Sequence, residues 1–183
     1  MTDLPKTLKG AQTGTMPIED VFAMDGVDFF EGVIAGKFPP PPIMGSMPMD
    51  FTAVEKGKIS ILARPDPRFF NPIGTIHGGY AATVLDTALG CVVHSTLATG
   101  EAYTTMEIKI IYHRAILPEI GDLTCEGVCI SRGRRAAASE AKIYDANGKL
   151  VASGSSTCMI MPCLLYTSPS PRDLSTSRMP SSA

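Results

Sequence analysis

The chain has 183 residues, which suffices for one domain with some residues left over at the ends. Hydrophobic residues make up 44% and charged residues 19%, enough apolar side chain for one core, so a disordered main body is excluded. Sixteen Lys and Arg against eighteen Asp and Glu give a net charge of −2, which leaves no basic field to hold DNA or RNA.

Residues 1–40 are predicted to form an N-terminal arm with one short helix and a proline-rich spacer. Val27, Phe30 and Ile34 recur at helical spacing within residues 26–36. Gly36 and the proline run 39–42 end this helix and lead into the next domain.

Residues 41–162 are predicted to form one α+β domain. The patterns indicate a strand hairpin, one helix and then four more strands, at about residues 46–55, 58–64, 80–96, 103–114, 121–131, 136–144 and 149–161. Parallel strands would need more helices for their crossovers. We therefore expect a mostly antiparallel sheet wrapped on one long, apolar helix.

The composition changes abruptly after Pro162. Eleven of the last twenty-one residues are Ser, Thr or Pro, a composition that neither buries a core nor holds a helix. This stretch also resembles translated sequencing-adapter sequence. We predict that residues 163–183 are a disordered, non-native tail.

The five cysteines are an odd number, and the N-terminus, MTDLPKTLKG, shows no apolar signal segment. We therefore expect a cytoplasmic location and buried free thiols. Cys125 and Cys129 are four apart, but no second close pair or suitably spaced His completes a zinc site. The most apolar stretch, residues 81–97, contains Asp86 and His94 and is too short to span a membrane.

Asp86 is the first candidate for chemistry. It is the only formal charge between Arg68 and Glu101, within the predicted apolar helix. An ionised carboxylate there costs several kcal/mol unless it is compensated, which favours a functional role over a structural one. Loss of water would raise its pKa and make it a stronger base or nucleophile.

The sequence His77-Gly78-Gly79 lies where a loop becomes this helix. The free N–H groups of a helix's first turn suit an oxyanion or the carbonyl of a thioester, and glycines let a ligand approach them. Alternatively, the glycines make a tight turn and His77 is a local cap. Gly78 and Asp86 are about 12 Å apart along one helix, so joint action requires two antiparallel subunits and a site at a dimer interface.

The pattern Asn71-Pro72-x-Gly74-x-x-His77-Gly78-Gly79, followed by Asp86 nine residues after His77, resembles the hot-dog-fold acyl-CoA thioesterases of the phenylacetate-degradation type. The resemblance covers about residues 40–161 and includes residues 104–107, 131–135 and 148–152. It implies a hot-dog fold, in which an antiparallel sheet wraps one long central helix. It also implies a homodimer formed through edge strands, or a homotetramer made of two dimers.

The same resemblance implies roles for the matching residues. Asp86 would be the general base or nucleophile, and the N–H of Gly78, together with that of Gly79, would polarise the thioester carbonyl. Asn71 would position the leaving group or a water molecule. His77 belongs to the same motif and is a candidate with it.

A hydroxyl group on the strand after the helix would hold the water molecule. The resemblance favours Thr105, although simple alternation groups Thr105 with the polar Glu107 and Lys109. Thr104 is the alternative, and it would face the helix only if the strand bends.

Three arginines flank a glycine in Arg132-Gly133-Arg134-Arg135. Guanidinium groups hold phosphates well, so this segment is a candidate for binding the phosphates of coenzyme A. The alternative is a solvated strand end.

The function predicted by these features is hydrolysis of acyl-CoA to a carboxylic acid and coenzyme A, without a metal or redox cofactor. The expected partners are the acyl-CoA substrate and further copies of the chain, not nucleic acid or membrane. A hot-dog enoyl-CoA hydratase is disfavoured by the spacing from Asn71 to His77 and by the lack of a suitable preceding acid. A non-catalytic acyl-CoA sensor is disfavoured because residues 1–40 show no helix-turn-helix pattern.

Overall fold

A computed structural model describes residues 5–163 of the chain. The helices are α1 (Ile18–Val21), α2 (Gly26–Ile34), α3 (Pro42–Ser46) and α4 (Gly78–His94), with one 3-10 turn at Pro67–Phe69. The strands are β1 (Met49–Glu55), β2 (Lys58–Ala63), β3 (Glu101–Tyr112), β4 (Leu123–Arg132), β5 (Ala136–Tyr144) and β6 (Leu150–Pro162).

The strands form one sheet in the order β1-β2-β4-β5-β6-β3, and every neighbouring pair is antiparallel. Helix α4 contacts five of the six strands and lies in the curve of the sheet. The predicted α+β architecture, an antiparallel sheet wrapped around one long central helix, is confirmed. The predicted tail lies outside the described residues from position 164 onward.

Helix α4 packs closely against the sheet because one side of it is entirely apolar. Fully buried residues recur every three or four positions along it: Ala81, Val84, Leu85, Ala88, Leu89 and Val92. Glycines face this side from two strands. A side-chain carbon at Gly127 would lie 3.1 Å from the Ala88 carbonyl oxygen, and one at Gly154 would lie 3.3 Å from the Leu89 side chain.

Two boundaries differ from the sequence prediction. Helix α4 begins at Gly78, two residues early, because the His77 ring accepts a hydrogen bond from the Gly79 N–H and caps the helix. Residues 42–46, where we expected a spacer and the start of a strand, form α3. Pro42 is at the first position of α3, where a helix does not need the N–H that proline lacks.

The arm is tied to the domain by backbone contacts that its sequence pattern does not reveal. The Gly14 N–H donates to the Pro40 carbonyl (2.9 Å), and the Lys9 N–H donates to the Asp50 carboxylate (2.9 Å). At the start of α2, the Gly26 N–H donates to the Leu97 carbonyl beyond the end of α4 (3.1 Å). The domain boundary at residue 40 stays a prediction.

All five cysteines are free thiols, and Cys125 and Cys158 are fully buried. Within residues 5–163 no helix is both long enough and apolar enough to cross a membrane.

A substitution at Gly26 tests the docking of α2. A side-chain carbon there would overlap the His94 carbonyl oxygen. We expect Gly26→Ala to cost about 2 kcal/mol, as overpacked sites do, and to lower Tm by about 6 °C in a chain of this size. Thermal unfolding followed by circular dichroism measures the loss. The control is Glu31→Ala at an exposed position of the same helix; an equal Tm for both variants would contradict the tight contact.

Candidate active site

Asp86 lies on the side of α4 that faces away from the sheet core, and it is exposed in the single chain. Neighbouring protein nevertheless removes enough water to raise the pKa of its carboxyl group. The nearby hydroxyls of Thr83 and Thr87 donate to helix carbonyls one turn back, at 3.0 and 2.8 Å. Among the described residues, no side chain or N–H donates to the Asp86 carboxylate. It is therefore available to act as a base.

Thr105 faces the same region because of a bulge in β3. The register of β3 against β6 shifts between Thr105 and Glu107, so that Met106 is an extra residue. Before the bulge Thr105 pairs with the buried Cys158, on the helix side of the sheet. After it, Glu107 pairs with Thr157 and accepts a hydrogen bond from its hydroxyl (3.0 Å). Thr105 and Glu107 are two residues apart and would share one face of a regular strand. The bulge places them on opposite faces.

The Cys158 thiol interacts with both Asp86 and Thr105. Burial raises the pKa of the Cys158 thiol, hydrogen bonds with Ser156 and Thr105 lower it, and the charge of Asp86 raises it. Thr105 therefore contacts a thiol that lies within the electrostatic reach of Asp86. These two predicted site residues share one neighbourhood, at the junction of α4 with the edge strand β3.

The first turn of α4 leaves one N–H group available. The Gly79 N–H donates to His77 Nδ1 (2.9 Å), and the Tyr80 N–H donates to the His77 carbonyl (2.9 Å). Among the described residues, the N–H of Gly78 has no acceptor. Of the two glycines predicted to polarise a carbonyl, Gly78 is free to do so, whereas the N–H of Gly79 is used by the cap.

Tyr112 contacts this helix end, which the sequence did not indicate. Its hydroxyl donates to the Gly78 carbonyl (3.1 Å), and a side-chain carbon at Gly78 would lie 3.2 Å from the Tyr112 ring. Tyr112 stands at the far end of β3, beyond the bulge. Its direction could be inferred only once the position of the bulge was known.

Asn71 shapes the loop that precedes the cap. Its side-chain oxygen accepts from the N–H groups of Ile73 and Thr75, both at 3.1 Å, and its amide donates to the Thr75 hydroxyl at 2.7 Å. Gly74 has φ of +79°, a conformation that favours glycine. The Asn71 side chain thus orders the loop, and its predicted role toward a substrate stays a prediction.

The arginine segment divides into two parts. Arg132 is paired with the Glu101 carboxylate and also donates to the Gly133 carbonyl (2.6 Å). The Gly133 N–H closes the turn by donating to the Ala136 carbonyl (2.8 Å). Arg134 and Arg135 are exposed at the tip of this hairpin, and neither has an ion-pair partner among the described residues. They are the arginines available for an anionic ligand.

Solved structures share this fold. A phenylacetic acid degradation-related protein from Ralstonia eutropha is 26% identical, with a TM-score of 0.65 over 71% of this chain and 98% of the other. A Streptococcus mutans protein solved with acetyl-CoA is 25% identical, with a TM-score of 0.57 over 62% and 89% of the two chains. A hypothetical thioesterase from Streptococcus pneumoniae, solved with coenzyme A, is 25% identical, with a TM-score of 0.56 over 62% and 86%.

The fold, an antiparallel sheet around one central helix, is that of the hot-dog thioesterases. Residues 73–152 match the family model of the thioesterase superfamily. This match, over less than half of the chain, and the shared fold support a thioester hydrolase. No curated protein matches the chain significantly. The matched segment includes α4 and the strands from β3 to the start of β6.

Proposed function

We propose that the chain hydrolyses acyl-CoA thioesters, with Asp86 as the base or nucleophile. The observation that carries the proposal is the Asp86 carboxylate: its pKa is raised, it has no hydrogen-bond partner among the described residues, and both it and Thr105 interact with the Cys158 thiol. A water molecule or a thioester carbon bound between them would meet both a proton acceptor and a hydroxyl group. The structures solved with acetyl-CoA and coenzyme A support coenzyme A as the thiol part of the substrate.

In the base route, Asp86 accepts a proton from water while the water oxygen attacks the thioester carbon. The carbon–sulfur bond then breaks, the acid is released, and the departing coenzyme A thiolate takes up a proton. In the nucleophile route, a carboxylate oxygen of Asp86 attacks the same carbon and displaces the thiolate, and water hydrolyses the resulting anhydride. Thr105 would hold the water molecule in either route.

Negative charge develops on the carbonyl oxygen as the carbon is attacked. The N–H of Gly78, at the positive end of the α4 dipole, would donate to that oxygen. His77 supports this role by satisfying Gly79 and fixing the helix start, so that Gly78 is the exposed donor.

One chain cannot bring Gly78 and Asp86 to one thioester, because eight residues of helix separate them by about 12 Å. A second chain packed antiparallel by two-fold symmetry would supply the missing group at each of two sites. The edge strand β3 offers a surface for such a dimer, since Met106, Ile111 and Tyr112 are 48% to 63% exposed.

Asp86→Asn tests the central role. The amide is nearly isosteric with the carboxylate but cannot accept the proton, so kcat should fall by about 10²- to 10⁴-fold. Thiol release from a panel of acyl-CoA esters measures this, and Asp28→Asn on α2 is the control at an exposed carboxylate. Retention of more than about a tenth of kcat would make Asp86 structural.

The raised pKa of Asp86 also predicts how the stability and activity of the parent chain depend on pH. Because the pKa of Asp86 is raised in the folded chain, ionisation of Asp86 destabilises the fold as pH rises from the unfolded-state pKa through the folded-state pKa. Asp86→Asn should therefore match or exceed the Tm of the parent at neutral pH. The kcat/KM of the parent should fall as pH drops through the raised pKa of Asp86.

Replacing both Arg134 and Arg135 with Gln tests the phosphate contact. KM should rise by about tenfold or more for coenzyme A esters, since charge-assisted hydrogen bonds to phosphate are lost. KM for pantetheine esters, which lack the nucleotide phosphates, should change little. Lys142→Gln, an exposed cation on the same hairpin, is the control. Equal effects on both ester types would exclude contact with the nucleotide end.

Refolding Asp86→Asn together with Gly78→Pro tests the shared site. Proline removes the N–H yet suits the first helical position, and the extended His77 (ψ 137°) is compatible with a following proline. A random 1:1 mixture gives half heterodimers, each with one intact site, so about a quarter of the parent activity should return.

Gly78→Ala is the matched control for this mixing experiment. It adds the same contact with the Tyr112 ring but keeps the N–H, so it should remain more active than Gly78→Pro. The shared site is refuted if the mixture recovers nothing although both variants are folded and exchange subunits.

A further inference from the structure

Two cavities lie on either side of one segment of the arm, residues 14–22. The first, of about 500 Å³, is lined by Met16, Ile18, Val21 and Phe22 of the arm and by residues 103–105 of β3. The second, of about 250 Å³, is lined by Met16 and Val21 again and, across from them, by apolar residues of α2 and by α4. Met16 and Val21 border both cavities and form their shared wall; the two cavities together are called the groove below.

The arm segment is a fixed wall of this groove. Its start is held where the Gly14 N–H donates to the Pro40 carbonyl (2.9 Å), and its end is held where the Gly100 N–H donates to the Phe22 carbonyl (2.8 Å). Between these two points lie Met16 and Val21, which line both cavities. Substitutions in the segment should therefore change the shape of the groove directly.

The groove is suited to an apolar group without charge. Among residues 5–163, the titratable residues that line its inner part are Cys91 and His94. Burial raises the pKa of the Cys91 thiol to about 12 and lowers that of the His94 ring to about 4, so both are neutral at physiological pH. His94 is enclosed by four aromatic rings, those of Phe22, Phe29, Phe30 and Tyr103, at 5.1 to 5.8 Å.

The residues at the two ends of the groove place it relative to the proposed catalytic residues Thr105 and Asp86. Thr105 lines its outer part, and His94, eight residues or about 12 Å along α4 from Asp86, lines its inner part. A thioester carbonyl bound near Asp86 and Thr105 would place a substituent that follows the groove toward His94. Of the two substituents of that carbonyl, the acyl chain is the apolar one that matches the uncharged lining.

We propose that this groove binds the acyl group of the substrate, and that Met16 and Val21 of the arm limit its length. The inference rests on the proposed function and assigns to it a medium-length, uncharged, apolar acyl group. Each methylene buried in the groove should raise kcat/KM by about fourfold, until the chain reaches His94. The arm is then a specificity-determining segment contributed from outside residues 73–152, the matched family segment.

Filling the groove at Val21 tests the proposal with the full chain. Val21→Phe should lower kcat/KM for decanoyl-CoA by about tenfold or more while leaving acetyl-CoA within about twofold, since only the longer chain meets the added ring. Met16→Ala should enlarge the groove and shift the preference toward longer chains. Asp20→Phe adds the same ring at an exposed position of α1 that lines neither cavity, and it should leave the profile unchanged.

The outcomes separate this inference from the proposed function. If the parent chain releases no thiol from any acyl-CoA ester, the proposed function fails and the inference fails with it. If the parent is active but Val21→Phe affects short and long chains equally, or Asp20→Phe changes the profile in the same way, only the inference is overturned. Should Val21→Phe prove unfolded by circular dichroism, Met16→Ala alone decides, and an unchanged chain-length profile would refute the proposal.

Discussion

The close contact between α4 and the curved sheet is the constraint on which the rest of the molecule depends. Every residue on one side of α4 is buried against five strands, and Gly127 and Gly154 allow the backbones to approach. A helix held so closely cannot turn about its axis to present another side. The residues on the opposite side of α4, which include the proposed catalytic Asp86, are therefore fixed in position as well.

The outward side of α4 repeats with helical spacing through Gly79, Thr83, Asp86, Gly90 and His94. Its second half is covered: the Tyr103 hydroxyl lies against Gly90, and aromatic residues enclose His94. In its first half, Gly79 and Thr83 are half-buried and Asp86 is exposed in the single chain. Asp86 lies at the boundary between the two halves, where a carboxylate is partly desolvated yet still accessible. This position explains how its pKa is raised without an ion-pair partner among the described residues.

The sequence predicted those parts of the molecule that follow from periodicity. The hydrophobic pattern was enough to predict the apolar helix and the order of the elements along the chain, and a count of charges was enough to single out Asp86. The side to which Thr105 points was not predictable, because one extra residue, Met106, reverses the parity of β3 and no residue type marks the bulge. The pairing of Arg132 with Glu101, 31 positions apart, was likewise hidden from a local pattern.

An acyl chain bound against the arm would also change the solvation of Asp86, the proposed catalytic residue on α4. A carboxylate is a stronger base when its surroundings hold less water. An apolar group bound between His94 and Asp86, as proposed above, would displace water from the neighbourhood of Asp86. Binding of an acyl chain would then raise the pKa of Asp86 further in the same step that brings the thioester to it. The basicity of Asp86 would thus be greatest in the occupied site, where hydrolysis is required. In this arrangement one apolar surface contributes both to the choice of the acyl chain and to the reactivity of the carboxylate.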